Sequence, residues 1–329
     1  MKKVLLLLGP TGVGKTSASL LLARRLDSEI ISADSMQIYR HMDIGTAKPA
    51  PEERSAVRHH MIDVIDPWES FSTGRFIEEV RPIIDNLHKE GKLPLIVGGT
   101  GLYVKAMTRG IFIGPSADWE LRKELLEDEE SDPGSLYRRL AETDPESASR
   151  IMPSDIRRII RALEVSLASG SSISEMQAEQ TVRLPYDFLK IGLTRDREEL
   201  YRIINDRVDR MFEAGLVEEV KHVLELIRAE ARKHGSAELR MSELSSLQAI
   251  GYKELIRHLD GSCSLGETIE LVRQRSRNYA KRQFTWFRKE ADIEWIDITG
   301  ISDAGKICDL VLKSVGKFTN LDPGIEGSL

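Results

Sequence analysis

The run Gly9-Pro10-Thr11-Gly12-Val13-Gly14-Lys15-Thr16 follows Lys3-Val4-Leu5-Leu6-Leu7-Leu8 without a break, so an apolar strand opens directly into the pattern G-x-x-x-x-G-K-[ST]. Glycines there let backbone N–H groups turn inward around a diphosphate, and the positive end of a following helix favours the anion. Ser17 to Leu26 supplies that helix, with Leu20, Leu21, Leu22 and Leu26 at compatible spacing. Gly9, Pro10, Thr11, Gly12, Val13, Gly14, Lys15 and Thr16 are therefore expected to bind diphosphate, with Lys15 on phosphate oxygens and Thr16 on Mg²⁺. The pattern does not say whose phosphates these are.

A strand feeding a phosphate loop predicts an α/β fold: a parallel sheet in a P-loop, NTPase- or kinase-like core. Glu29-Ile30-Ile31-Ser32-Ala33-Asp34-Ser35-Met36-Gln37 reads as a second, short strand, whose carboxyl end delivers Asp34. Ligands in open α/β sheets sit at carboxyl ends of strands, so Asp34 is expected to face the loop as a catalytic carboxylate or a magnesium contact. Ile62 to Pro67 offers a further short strand, Phe76 to His88 a helix, and Lys92 to Val97 a buried parallel strand opening into Gly98-Gly99-Thr100-Gly101. An ordinary P-loop ATPase carries an Asp at the end of such a strand to hold magnesium; here glycines and a threonine stand instead.

From about Gly114 to Leu184 the strands stop, charged helical patterns take over, and Pro115, Pro133, Pro145 and Pro153 punctuate them. The sequence thus predicts a discontinuous core at 1–114 and 187–317, a helical insertion at 115–186, and a flexible tail at 318–329. Within the insertion, Arg157, Arg158 and Arg161 fall within about one turn, opposite Ile156, Ile159, Ile160 and Leu163. The core resumes with a strand at Phe188 to Leu193, and Arg207 and Arg210 lie on the long helix after it. Residues from about Arg228 to Ser246 read as a loose polar connector.

Charge is distributed unevenly. The chain is acidic overall, with 47 basic against 53 acidic residues and a net charge of −6, yet Arg273, Arg275, Arg277, Lys281, Arg282, Arg288 and Lys289 crowd one stretch without an Asp or Glu. Tyr279, Phe284, Trp286 and Phe287 are interleaved, and Arg273, Arg277 and Lys281 repeat every fourth residue as one helical stripe. Cations with aromatics suit nucleic acid, pairing with phosphates and stacking on unpaired bases; a surface helix with core-packed aromatics is the plainer alternative. Two cysteines, Cys263 and Cys308, are too few for a disulfide framework. The apolar start ends at Leu8 in the phosphate loop and reads as a strand, not a targeting signal, and no run reaches the ~20 apolar residues of a membrane span. A reduced, cytoplasmic, monomeric protein is expected.

The chain resembles the bacterial tRNA dimethylallyltransferase (tRNA isopentenyltransferase) family. The likeness is carried by Gly9 to Thr16, Ser32-Ala33-Asp34-Ser35-Met36-Gln37-Ile38-Tyr39, Gly45-Thr46-Ala47-Lys48-Pro49, His59 to Asp63, and Val97 to Tyr103. It continues through Asp155 to Glu164, Gln248 to Glu254, and Ala280-Lys281-Arg282-Gln283-Phe284-Thr285-Trp286. Phe71-Ser72-Thr73 stands where the family pattern has Tyr-Ser-Ala, and the 228–246 connector is longer than usual.

The resemblance implies that the loop binds dimethylallyl diphosphate with Mg²⁺ and that the partner is a tRNA anticodon stem-loop, modified at N6 of the adenosine at position 37. It implies a catalytic set of Asp34 as general base, Thr100 helping to hold the base, and Arg207 on the diphosphate. It further implies tRNA contacts at Asp34, Ser35, Met36, Gln37 and Thr100, along Arg157-Arg158-Ile159-Ile160-Arg161, and at Arg273, Arg277, Lys281, Arg282, Gln283 and Trp286. An adenylate isopentenyltransferase acting on free nucleotide, a P-loop small-molecule kinase, and a non-catalytic nucleic-acid binding module are the rival readings.

Overall fold

The computed structural model describes residues 2–112, 114–115, 117–233 and 244–319. The chain divides into two compact units, Met1–Val104 with Pro185–Leu329, and Lys105–Leu184.

In the larger unit, β1 (Lys2–Leu8), β2 (Ile30–Ala33), β3 (His59–His60), β4 (Leu95–Gly98), β5 (Tyr186–Thr194) and β6 (Ile293–Asp297) form one sheet in the order β3-β2-β4-β1-β5-β6. Every pairing is parallel. Val4 to Leu8 are fully buried, as a central strand covered on both faces requires, which is why β1 reads as a continuous apolar run. Four helices fall in the first part of the chain: α1 (Lys15–Arg25), α2 (Pro51–Ala56), α3 (Thr73–Lys89) and α4 (Gly101–Arg109). Helix α3 starts where the Ser72 hydroxyl accepts from Arg75 N–H, and it buries Phe76, Val80, Ile84 and Leu87 at helical spacing.

The strand expected at Ile62 to Pro67 is absent. Met61 and Asp63 have φ of 62° and 55°, left-handed values incompatible with extension, so β3 is confined to His59–His60 and Ile65 makes an isolated bridge to Tyr39. Strand β6 was not anticipated. It is short, lies at the sheet edge, and includes the charged residues Glu294 and Asp297.

The smaller unit is helical: α5 (Trp119–Ser131), α6 (Ser135–Thr143), α7 (Pro145–Arg150), α8 (Ile156–Ser169) and α9 (Ile173–Gln180). Leu125, Leu136, Leu140, Ile159, Ile160 and Leu163 share its core. Asp155 caps α8 by accepting from Arg158 N–H, and Gly170 ends it in the left-handed region. This unit starts at Lys105, earlier than the expected 115.

The larger unit is completed by α10 (Arg197–Glu213), α11 (Leu216–Lys233), α12 (Tyr252–Leu259), α13 (Leu265–Phe287) and α14 (Ala304–Thr319). The 228–246 connector needs correction at both ends: residues up to Lys233 finish α11, and Ser246–Gln248 form a 3₁₀ turn. Its middle, 234–243, lies outside the described residues, as do 320–329 of the expected tail, whose first residues instead end α14.

Candidate active site

Strand order decides which residues meet. Ala33 of β2 is level with Gly98 of β4, and Gly98 is level with Leu8 of β1. Asp34, Gly99-Thr100 and the phosphate loop therefore leave three adjacent strands at the same end of the sheet, where parallel α/β sheets bind ligands.

The loop is shaped by backbone that only glycine adopts without strain. Gly14 caps α1 at φ 110°. At Gly9, φ is 147° and a Cβ would lie 2.8 Å from the Leu193 carbonyl oxygen of β5. The first turn of α1 then presents unpaired N–H groups and Thr16, which is exposed.

Cations converge on this loop. Lys15 Nζ donates to the carbonyls of Gly9 and Pro10, each at 2.8 Å. Burial pulls its pKa down to about 8, countered by the negative charge of Asp34 and reinforced by Arg207. Arg207 of α10 donates from Nη2 to the Thr11 hydroxyl at 2.7 Å, while its Nε is buried with no partner among the described residues. Burial lowers the Arg207 pKa too, again against the pull of Asp34. Asp34 thus acts electrostatically on both cations, and it accepts from Met36 N–H at 2.8 Å, which fixes its side chain. A cavity of about 340 Å³ opens on Arg207, lined also by Ile44, Ala47, Pro49, Arg210 and Met211.

Thr100 sits opposite. Its hydroxyl accepts from Ser35 N–H at 3.0 Å, which ties the ends of β2 and β4 together. The Tyr279 phenol of α13 lies beside Thr100 and Gln283; burial, then the Asp34 charge, push it up and keep it protonated. Tyr103 stacks on Phe76 with centroids 3.8 Å apart, and its phenol is raised by the same two causes. Tyr279 is a site residue that the sequence reading missed. Its spacing of four from Gln283, one helical turn, was the signal for it.

Magnesium demands little of a protein, keeping waters and phosphate oxygens as most of its ligands. Among the described residues no group of three or more His, Cys, Asp or Glu could hold a metal. The hard oxygen donors at the loop, the Thr16 hydroxyl and the Asp34 carboxylate, fit an ion that arrives with a diphosphate.

Several expected nucleic-acid contacts are otherwise engaged. Gln37 bonds the Ser32 hydroxyl at 2.9 Å and the Ala47 carbonyl at 3.2 Å, and Met36 packs against a core cluster. Ile159 and Ile160 are buried in the helical unit and cannot present side chains to RNA. Arg161 pairs with buried Glu164 and donates to the Pro115 carbonyl at 2.9 Å; Arg157 and Arg158 are exposed. The predicted α13 stripe is also divided. Arg273 is held by Asp209 and Glu270, and Arg277 by Asn205 at 2.7 Å, because that part of α13 packs on α10. Arg275, Lys281, Arg282 and, in part, Trp286 remain exposed. Gln283 is buried against the phosphate loop.

A family model described as IPP transferase matches residues 37–290. A tRNA dimethylallyltransferase of Thermodesulfovibrio yellowstonii is 52% identical over 96% of this chain and 98% of its own length. Among solved structures, the full-length tRNA isopentenylpyrophosphate transferase of Bacillus halodurans is 41% identical, with a TM-score of 0.67 over 98% of this chain and 99% of that one. A eukaryotic dimethylallyltransferase described as acting on tRNA is 30% identical, with a TM-score of 0.81 over 99% of this chain and 82% of that one. A phosphate loop faced by Asp34 and Thr100 across a parallel sheet, in a chain matched along nearly its whole length, belongs to the IPP transferase family.

Proposed function

We propose that this enzyme transfers the dimethylallyl group of dimethylallyl diphosphate to N6 of the adenosine at tRNA position 37, beside the anticodon, releasing diphosphate. The observation that carries the reading is a carboxylate, Asp34, at the end of β2 level with the phosphate loop, next to a β4 end that lacks the magnesium-binding Asp of an ordinary ATPase.

The adenine amino group is a weak nucleophile, since its lone pair is delocalised into the ring. Asp34 takes its proton as the new C–N bond forms, and the electrons of the breaking C–O bond go to the departing diphosphate. Lys15, Arg207 and the loop N–H groups stabilise that growing charge in a partly dehydrated site. Mg²⁺, when bound beside Thr16, would add charge neutralisation on the diphosphate. The Thr100 hydroxyl, held by Ser35, orients the base. The cavity against Arg207 combines apolar side chains, among them Ile44, Pro49 and Met211, which suit a prenyl group, with the charges of Asp43, Lys48, Arg54 and Arg210. The base reaches Asp34 only when unstacked from the anticodon loop, which favours α13's exposed Lys281, Arg282 and Trp286 as an RNA-facing surface. A tRNA substrate implies action in the cytoplasm, and among the described residues no helix is long and apolar enough to cross a membrane.

The test incubates the protein with labelled dimethylallyl diphosphate, Mg²⁺ and either unmodified tRNA or AMP. Label in tRNA is expected; label in AMP alone would favour the free-nucleotide reading. Transfer of the ATP γ-phosphate to a small substrate would favour a kinase.

A further inference from the structure

Gln283 is buried on α13, and both ends of its amide are used. Oε1 accepts from Thr11 N–H in the phosphate loop at 2.8 Å, and Nε2 donates to the Gly99 carbonyl at the end of β4, also at 2.8 Å. The approach is close enough to dictate its neighbours. A Cβ on Gly99 would lie 2.2 Å from Gln283 Nε2, and a Cβ on Gly101 would lie 2.2 Å from the Trp286 ring. Those contacts explain why glycines stand at 99 and 101. Tyr279, one turn earlier, lies beside Thr100.

We propose that Gln283 is a positioning residue through which α13 sets the shape of the phosphate loop, so that occupancy of the exposed face of α13 and occupancy of the loop by diphosphate are coupled. An amide suits this task because it satisfies one N–H and one C=O at once; a carboxylate lacks the donor and an ammonium the acceptor. By taking the Thr11 N–H, Gln283 fixes where the loop begins its turn and leaves the later N–H groups for the anion. Lys281 and Arg282 immediately precede it and are exposed, and a helix moves as one body, so a load on those cations reaches Gln283 without an intervening hinge. The coupling is reciprocal by linkage: whatever factor an RNA applies to diphosphate affinity, diphosphate applies to RNA affinity.

This rests on the reading of α13 as RNA-facing, and the experiment separates the two. The full-length protein is titrated with inorganic diphosphate and Mg²⁺, with and without an anticodon stem-loop RNA hairpin, as the parent, as Gln283→Met and as Gln283→Glu. In the parent, the hairpin is expected to change diphosphate affinity by about 5-fold or more. Gln283→Met, similar in length but without the hydrogen bonds, is expected to weaken diphosphate alone by about 10-fold and to shrink the hairpin effect to within about 2-fold. Should Gln283→Met fail to fold, Gln283→Glu carries the test. It keeps the acceptor for Thr11 and loses the donor to Gly99, and it should also lose the hairpin effect. A merely structural role would lower stability and leave the ratio of the two affinities alone. A parent-like ratio in the folded variants would overturn the coupling, as would a hairpin that binds the parent without altering diphosphate affinity. If the hairpin does not bind the parent at all, the RNA reading fails instead, and an unchanged diphosphate affinity in Gln283→Met would then overturn the positioning role by itself.

Discussion

Two clusters of charge in this molecule use similar residues to opposite ends. In the helical unit, Glu164 is fully buried, and its carboxylate accepts from Arg122 at 2.8 and 2.9 Å, from Asp118 N–H at 2.8 Å and from Arg161. Burial alone would raise that carboxyl, but the arginines hold it below the ordinary glutamate value. At the phosphate loop, Lys15 leans on two carbonyls, Arg207 on one hydroxyl, and the Arg207 Nε has no partner among the described residues. A buried charge whose bonding capacity is filled is structural. One left partly unfilled costs stability, and an anionic ligand removes that cost.

That contrast is sharpest in chemistry. Asp34→Ala should lower the single-turnover transfer rate by about 10²–10⁴-fold, with thermal stability and hairpin binding close to the parent's. A rate within a few-fold would remove Asp34 from the general-base role.

Glu164→Ala should do the reverse. Leaving Arg122 and Arg161 without their carboxylate should destabilise the helical unit by about 3–5 kcal/mol, seen as faster amide exchange across 105–184. Protection equal to the parent's would mean the cluster is not structural. The Glu164 contribution should also fade on acidification. A depressed folded-state pKa supplies stability above the unfolded value, and this is lost as pH falls through the folded one.

Arg207→Met lies between. Turnover should drop by about 10²–10³-fold, while the midpoint of denaturation stays put or rises, because an incompletely bonded charge has been removed. A large loss of stability would make Arg207 a structural residue like Arg122.

On the arginines of α8, the same contrast predicts opposite behaviour from neighbours. Arg157→Ala, at an exposed position, should flatten the slope of log affinity against log salt for tRNA by about 0.7–0.9. Arg161→Ala should leave that slope and lower stability. Equal slopes for both variants and the parent would remove α8 from the RNA surface.

The smallest effect concerns protons. Burial brings Lys15 to about 8, so the folded, ligand-free protein loses this proton before the unfolded chain does, and the Lys15 contribution to stability rises with pH from about 8 towards 10.5. Diphosphate restores the charge. Binding above pH 8 should therefore take up a fraction of a proton, measured as a binding enthalpy that varies with the ionisation heat of the buffer. Buffer-independent enthalpies at pH 8.5 would place the Lys15 pKa elsewhere.

Sequence by itself determined what is local. The phosphate loop, the strand before it, Asp34 at a strand end and the alternating faces of α8 follow from spacing and from glycine's tolerance of positive φ, and these survive in the structure. Partner choice was not legible. Arg157 and Arg161 look alike in a helix pattern, as do Arg273 and Lys281, and only packing shows that Glu164 and Asp209 have claimed one of each pair. Gln283 looked like a surface contact within a basic stretch, and the structure turns it inward onto Thr11 and Gly99, which lie far away in the chain. Spacing along a chain fixes which side chains share a face. Which face is buried, and against what, is set by contacts between elements distant in the chain, as Asp209 with Arg273 and Thr11 with Gln283, and those exist only once the chain has packed.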